Sequence, residues 1–408
     1  MMNQNIGTSL FRISSYINKT PLEISTRLSS KYNCNIFLKR EDLQKTRSFK
    51  IRGSLNKILK NNNSKSEIVC ASAGNHAQGV AYSCNLLGLK GKIFCPITTP
   101  PQKIGRIKHF GNSNIDLELV GENFNECLEI SKQYSLETSG LFIHPYDDMD
   151  IIEGQGTLGK EIIDESHGID ILMGCLGGGG LMSGVGTYVK NILPKCLIYG
   201  VEPFGAESMT KAFEAGKVVT MENVDNFVDG ASVSRVGEIT YPICKEVLDD
   251  IFLVGNGKIS NEMLELYQED GIIVEPAGCL SICGLEELSN RMDITGKNIV
   301  CIISGGNNDI MRYPEILEKN MIYLGLKHYY IIEFSQKPLE LRRFISNVLG
   351  EKDDITRFEY IKKTNKTFGN VLVGFETENY LELEKKMSEN LFRFRKIDDN
   401  DLIFSYLI

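Results

Sequence analysis

The 408-residue sequence predicts an α/β protein in two parts, a parallel sheet covered by helices and then a small ferredoxin-like module. Three observations lead there. From about Asn35 to about Ser304, short runs rich in Ile, Val and Leu alternate with longer helical patterns, as parallel strands joined by helices require. After about Met321 the order changes to β-α-β-β-α-β. The length also exceeds what one hydrophobic core fills, so two or three lobes are expected.

The strand candidates are "CNIFLKR", "SEIVCAS", "KGKIFCP", "IDLELVG", "IDILMGCL", "CLIYGVEP" and "NIVCIISGG". Several end in Gly, Ser or Asn. Open parallel sheets bind ligands beyond the carboxyl ends of their strands, where the next helix offers free N–H groups, so those endings are where a site is expected. Asn61 to Ser66 reads as a polar surface turn. In the C-terminal part, "LKHYYIIEFSQ" is a strand and "KPLELRRFISNVLG" a helix whose Leu341, Phe344, Ile345 and Val348 fall at i, i+3, i+4 and i+7. A hairpin around Asn365 to Gly369, a helix in "YLELEKKMSENL" and a strand in "LFRFRKI" complete the module.

Composition narrows the function classes. Apolar residues make up 42% and charged residues 24% of the chain, and no apolar run reaches the roughly 18 residues of a bilayer span. A net charge of -8 without a basic cluster argues against a nucleic-acid partner. The eleven cysteines are scattered and include no C-x-x-C pair, so they read as free thiols in a reducing compartment. Cys279 and Cys283, four apart, read as small buried hydrophobes rather than a metal pair. The N-terminal segment has few acids and several serines but no arginine-rich face, and a cytoplasmic location without a membrane partner is expected.

Four strand ends carry the chemistry. In "TRSFKIRG", Lys50 reads on its own as a snorkelling surface lysine. Its functional reading is a Schiff-base lysine, which must be neutral to attack and so needs a desolvated site, with Phe49 as apolar cover. In "ASAGNHAQG", Ser72, Ala73, Gly74 and Asn75 form a small-residue turn into a helix, where N–H groups converge on an anion. His76 beside them is more often structural than catalytic at such a position. "MGCLGGGGLMSGVG" matches a dinucleotide fingerprint only loosely, and no lysine follows Gly180 to make a nucleotide-phosphate loop. What remains is a backbone cradle for one phosphate at a helix starting near Leu181. "VCIISGGNND" places the Ser304 hydroxyl at a fourth strand end. A lysine, an anion nest, a phosphate cradle and a hydroxyl together suit pyridoxal phosphate.

With these motifs on view, the sequence is similar to threonine dehydratase of the biosynthetic type. The resemblance runs through "TPLEIST", "FLKREDLQKTRSFKIRG", "SAGNHAQGVA", "GGGGLMSG", "GVEPFGAESM", "FVDGASVSRVG", "VEPAG" and "SGGNNDI". It continues into "GLKHYYIIEFSQKPLELRRF" and "GEKDDITRFEYIKK", which look like that family's ACT-like regulatory domain. It implies the tryptophan-synthase-β-like type II pyridoxal-phosphate fold over residues 1–322, a small lobe at about 50–150 inserted in it, and the ACT-like domain at 325–408. It further implies Lys50 as the imine lysine and Phe49 beside it, Asn75 on the cofactor ring hydroxyl, Gly177, Gly178, Gly179, Gly180 and Leu181 on the phosphate, Ser304 facing the pyridine nitrogen, and Glu275 near the ring. Ser72, Ala73, Gly74, Asn75 and His76 would grip the substrate carboxylate. The implied reaction converts L-threonine to 2-oxobutanoate and ammonia, the first step of isoleucine biosynthesis. Isoleucine would inhibit it, valine would oppose that effect, and the assembly would be a homodimer or homotetramer.

At one place the sequence departs from related racemases and dehydratases, which bind a divalent cation through two acids and a carbonyl. The counterparts here are Glu202, Ala206 and Ser208, and the missing second acid leaves no metal assigned. A serine dehydratase or serine racemase shares the catalytic motifs without the C-terminal module. A non-catalytic amino-acid sensor would be expected to have lost Lys50 or the cradle.

Overall fold

Branched apolar runs become strands at the predicted places, and in the computed structural model they build three sheets. The structure describes residues 2–61, 66–362, 365–398, 401 and 403–407. The polar turn expected at 61–66 lies mostly outside these residues. Contacts within the chain divide it into two units, Met1–Asp309 and Ile310–Ile408.

The larger sheet of the first unit has the order β1 (Leu22–Ile24), β2 (Asn35–Arg40), β10 (Asn298–Ile303), β7 (Ile171–Cys175), β8 (Leu197–Pro203) and β9 (Asp250–Val254). All its pairs are parallel except β1 with β2. The smaller sheet is parallel, in the order β5 (Ile115–Leu119), β4 (Gly91–Cys95), β3 (Ile68–Ala71) and β6 (Leu141–Phe142). Every residue of β3 and β7 is buried, because helices cover both faces, and this is why these strands read as continuous apolar runs. The sequence reading did not include β1, β6 and β9. The first two have three and two residues, too few to show a period.

Glycines set the spacing of the helices that carry the site. Helix Lys50–Asn61 meets helix Met149–Glu165 so closely that a Cβ at Gly154 would lie 2.6 Å from the Arg52 carbonyl oxygen. Helix Gly180–Ile192 packs on the other side of Met149–Glu165, and a Cβ at Gly184 would stand 2.3 Å from the Ile152 carbonyl oxygen and 2.6 Å from the Gly156 nitrogen. All eleven cysteines are free and buried, Cys279 and Cys283 with sulfurs 3.9 Å apart. Burial pushes several of their thiols up, those of Cys84, Cys95, Cys127, Cys196 and Cys244 to about 12. No helix among the described residues is long and apolar enough to cross a membrane.

The second unit holds an antiparallel sheet in the order β12 (Asp354–Tyr360), β13 (Phe368–Glu376), β11 (Lys327–Ser335), β14 (Arg393–Ile397), the ferredoxin-like arrangement. Alternate residues of β11 and β13, Tyr330, Ile332, Phe334, Val371, Val373 and Phe375, pack against Phe344, Val348, Leu383 and Met387 from two helices. The expected four-residue stripe on helix Glu340–Val348 is narrower than its spacing suggests. Phe344 and Val348 are buried, whereas Leu341 and Ile345 are 42% and 46% exposed, because the helix meets the sheet along a single i, i+4 row. Helix Tyr313–Tyr323 falls in this second unit, where its Glu318 binds Lys327 (2.7 Å) and the Tyr329 hydroxyl on β11.

Replacing Gly184 with Ala puts a methyl group into a backbone contact with no room for it. The expected loss is about 1–3 kcal/mol, read as a lower thermal midpoint; an unchanged midpoint would show that the helices separate freely.

Candidate functional site

The carboxyl ends of β3 and β7 face a cavity of about 520 Å³ in the first unit. Of the residues singled out in the sequence, Lys50, Ser72, Ala73, Gly74, Asn75, His76, Gly178 and Glu275 line it. Phe49, Gly177, Gly179, Gly180, Leu181 and Ser304 are not in the lining; all are buried or, for Gly177, partly covered.

Lys50 is the first residue of its helix, and the turn before it is fastened to the end of β10. Ser48 bridges to Gly305, and the Phe49 N–H donates to the Ser304 carbonyl at 3.2 Å. The Lys50 ammonium donates to the Pro145 carbonyl at 3.0 Å and lies 5.1 Å from the centre of the Phe49 ring. Burial lowers its pKa to about 8, against the weaker pull of Cys175 and Glu275. Two residues on, the fully buried Arg52 donates to both oxygens of Glu41 (2.8 Å each) and both of Glu161 (2.7 and 2.9 Å). Buried Lys39 joins the cluster through Glu161 at 3.0 Å.

The small-residue turn after β3 closes with the Gly74 N–H on the Ser72 hydroxyl at 3.1 Å and opens a helix at Asn75. The Asn75 amide donates to Glu275 at 2.6 Å and accepts from the Asn307 amide at 2.7 Å. Burial, reinforced by Asp229, pushes the Glu275 carboxyl up to about 7. His76 donates through Nε2 to the Ile143 carbonyl at 2.8 Å, and burial lowers its pKa to about 3. It therefore stays neutral and holds the base of the turn to the chain beyond β6.

The glycine run follows β7. Gly179 has φ +89°, a conformation L side chains rarely adopt, and a Cβ at Gly178 would lie 2.2 Å from the Tyr146 ring. Helix Gly180–Ile192 starts here, and the first N–H groups of a helix have no intrahelical acceptor. The loop is pinned from outside. Thr240 donates its hydroxyl hydrogen to the Gly178 carbonyl at 2.5 Å, and Asp147 accepts from the N–H groups of Glu238 (3.0 Å) and Ile239 (2.8 Å) at the start of the helix carrying Thr240. Behind the cleft, Ser304 donates to the Ala277 carbonyl at 3.1 Å, close to Cys175, whose thiol burial pushes up.

The sequence reading missed Asn307, Tyr146, Asp147 and Thr240. Asn307 stood within the quoted "SGGNND", and a polar run following a strand end was its signal; "HPYDD" offered none, because its value lies in contacts almost 100 residues away. At the position that corresponds to the cation site of related racemases and dehydratases, both oxygens of Glu202 accept from the first N–H groups of helix Ser208–Ala215, Met209 at 2.8 Å and Thr210 at 2.9 Å. Among the described residues, no group of three or more His, Cys, Asp or Glu could hold a metal ion.

Residues 13–305 match the family model of pyridoxal-phosphate dependent enzymes, and residues 318–407 match the C-terminal regulatory domain of threonine dehydratase. The chain is thus a pyridoxal-phosphate enzyme of fold type II carrying a regulatory domain. It is 47% identical over 395 residues to the biosynthetic L-threonine dehydratase IlvA of Halalkalibacterium halodurans, covering 95% of each chain. Its fold is similar to the processed form of threonine deaminase isoform 2 from Solanum lycopersicum (TM-score 0.73, 37% identity, 78% of this chain and 93% of that one) and to maize serine racemase (TM-score 0.71, 29% identity, 79% and 98%). The chain belongs to the biosynthetic L-threonine dehydratase family.

A methyl group at Gly178 would collide with the Tyr146 ring and push the loop off its Thr240 anchor. The Gly178→Ala protein is expected to lose pyridoxal phosphate on dialysis that leaves the unaltered protein loaded; equal retention would show that the loop does not need this fit.

Proposed function

We propose that the chain eliminates water from L-threonine, with pyridoxal phosphate bound through Lys50, and that the aminocrotonate released tautomerises and is hydrolysed by water to 2-oxobutanoate and ammonia. The observation that carries this reading is one cavity bringing together a buried, easily deprotonated lysine, a small-residue anion turn and a glycine loop. The residues fit the cofactor: an amine for its aldehyde, a helix-opening loop without side chains for its phosphate, an amide at Asn75 and a neutral hydroxyl at Ser304. When bound, pyridoxal phosphate supplies an electron sink for charge developing at the substrate α-carbon.

The chain's own residues do the rest. The Ser72–Asn75 turn orients the α-carboxylate by its backbone N–H groups. Lys50 Nζ, when not bonded to the cofactor, would take the α-proton; with its pKa near 8, its neutral fraction rises through the mildly alkaline range. Gly177 to Gly180 and Leu181 would seat the phosphate. Ser304 offers a hydroxyl where a carboxylate would hold a proton on the pyridine nitrogen, and this favours elimination over side reactions that need a long-lived carbanion. Glu275, with its pKa near 7, sits behind Asn75 as a hydrogen-bond partner and keeps that amide oriented.

For the second unit we infer isoleucine as the effector that inhibits the reaction and valine as its antagonist, acting in a cytoplasmic homodimer or homotetramer. An effector changes activity only if it binds two states of the assembly with different affinity. The same cleft would accept L-serine, as the likeness to maize serine racemase suggests, and comparing threonine with serine turnover separates the two substrates.

The Lys50→Ala protein should lack the near-visible absorbance of the lysine-bound cofactor and should not turn over threonine; a retained band would reject Lys50 as the attachment point. Truncation after Asp309 is expected to leave threonine turnover in place and abolish inhibition by isoleucine. Persisting inhibition would place the effector in the first unit.

A further inference from the structure

Six charged side chains line the catalytic cavity, and they are not balanced. Lys50, Lys103, Arg47 and Arg106 face Asp229 and Glu275. Both acids are engaged: Asp229 with Lys103, Glu275 with the Asn75 amide. Lys50 is given to the Pro145 carbonyl. The two guanidiniums are left. Among the described residues no carboxylate pairs with either of them. Arg106 makes one long hydrogen bond, 3.5 Å, to the Asn307 amide oxygen and lies 5.7 Å from the centre of the Phe110 ring, and Arg47 holds its place by backbone alone.

That backbone is itself unusual. Arg47 has φ +55°, a left-handed conformation that costs a non-glycine residue free energy, and it is fixed by Arg47 N–H on the Gln44 carbonyl (2.8 Å) and Gly306 N–H on the Arg47 carbonyl (2.9 Å). The turn thereby carries an arginine to the cavity three residues before Lys50. Arg106 approaches from helix Pro101–Gly111, and its pKa is lowered by burial and by the neighbouring positive charge of Arg47. Two like charges side by side in a cleft, neither neutralised by the protein, favour a doubly charged anion. Arg106 is also only one side chain from the anion turn, since Asn307, which accepts from it, donates to Asn75.

We propose that Arg47 and Arg106 form a second anion subsite in this cleft, which takes a phosphate group, either free or esterified to the side-chain hydroxyl of an amino acid whose α-carboxylate occupies the Ser72–Asn75 turn. The proposal rests on the reading of that turn given above. Dianionic phosphate matches the two positive charges, and guanidinium forks suit its oxygens.

The test measures competition by O-phospho-L-threonine and by inorganic phosphate against threonine turnover in the holoenzyme, with chloride as control at matched ionic strength. The cofactor absorbance is titrated with the same compounds, a readout that does not need turnover. Phosphate compounds should compete well beyond chloride. Arg106→Gln and Arg47→Gly, the latter relieving the positive φ, should each weaken that competition by about tenfold more than they change the KM for threonine. Competition by the ester alone assigns the subsite to a phosphorylated amino acid; competition by both admits free phosphate. Competition no stronger than chloride overturns the proposal, as does a parallel loss of threonine and phosphate affinity, which would give the arginines to the α-carboxylate. Failure of the unaltered holoenzyme to turn over threonine strikes the functional reading instead, while the absorbance titration still decides the subsite.

Discussion

The site depends on a charge cluster that lies outside the cavity lining. Arg52, fully buried, is clamped by Glu41 after β2 and by Glu161 on helix Met149–Glu165. The burial that would drive it neutral is outweighed by these two carboxylates, which hold its pKa above the usual range. Two buried cations, Arg52 and Lys39, meet two buried anions, so the group is near neutral and every guanidinium hydrogen-bonding direction toward it is used. Removing the guanidinium alone would leave two carboxylates stranded away from water, a change that typically costs about 3–5 kcal/mol. Because Arg52 lies only two residues into the helix that begins at Lys50, the same bonds set where the reactive amine stands.

Around this fixed point the cleft is assembled from strand ends, and each is locked by residues distant in sequence. The turn before Lys50 hangs on β10 through Ser304, and the glycine loop hangs on Thr240 and, through it, on Asp147. The apolar surroundings that lower Lys50 also raise Glu275, so both groups are poised close to neutrality with opposite sign of shift. One desolvated environment thus shifts a base and an acid toward their neutral forms at the same time.

Much of this was legible in the sequence. Continuous Ile, Val and Leu runs marked β2, β3, β4, β7, β8 and β10 because both faces of those strands are covered, and the change to alternation marked the antiparallel module. Where chemistry needs a particular residue type the sequence pointed to the cavity: Lys50, the Ser72–His76 turn, Gly178 and Glu275 all line it, while Gly177, Gly179, Gly180 and Ser304 stand outside the lining. What escaped was relational. Tyr146, Asp147 and Thr240 are ordinary residues whose importance comes from a partner far along the chain, and no local pattern records that. The stripe on helix Glu340–Val348 misled for a related reason, since periodicity tells which residues share a face but not how much of that face the sheet reaches.

The buried thiols have a bearing on how long a molecule lasts. A sulfur whose pKa stands near 12 is almost never a thiolate at neutral pH, so oxidants and electrophiles find little to attack while the chain stays folded. Once it opens, all eleven sulfurs become available together and refolding competes with their modification. Oxidation therefore acts on the opened chain rather than the folded one, and a sulfur modified there no longer suits the apolar position it must refill.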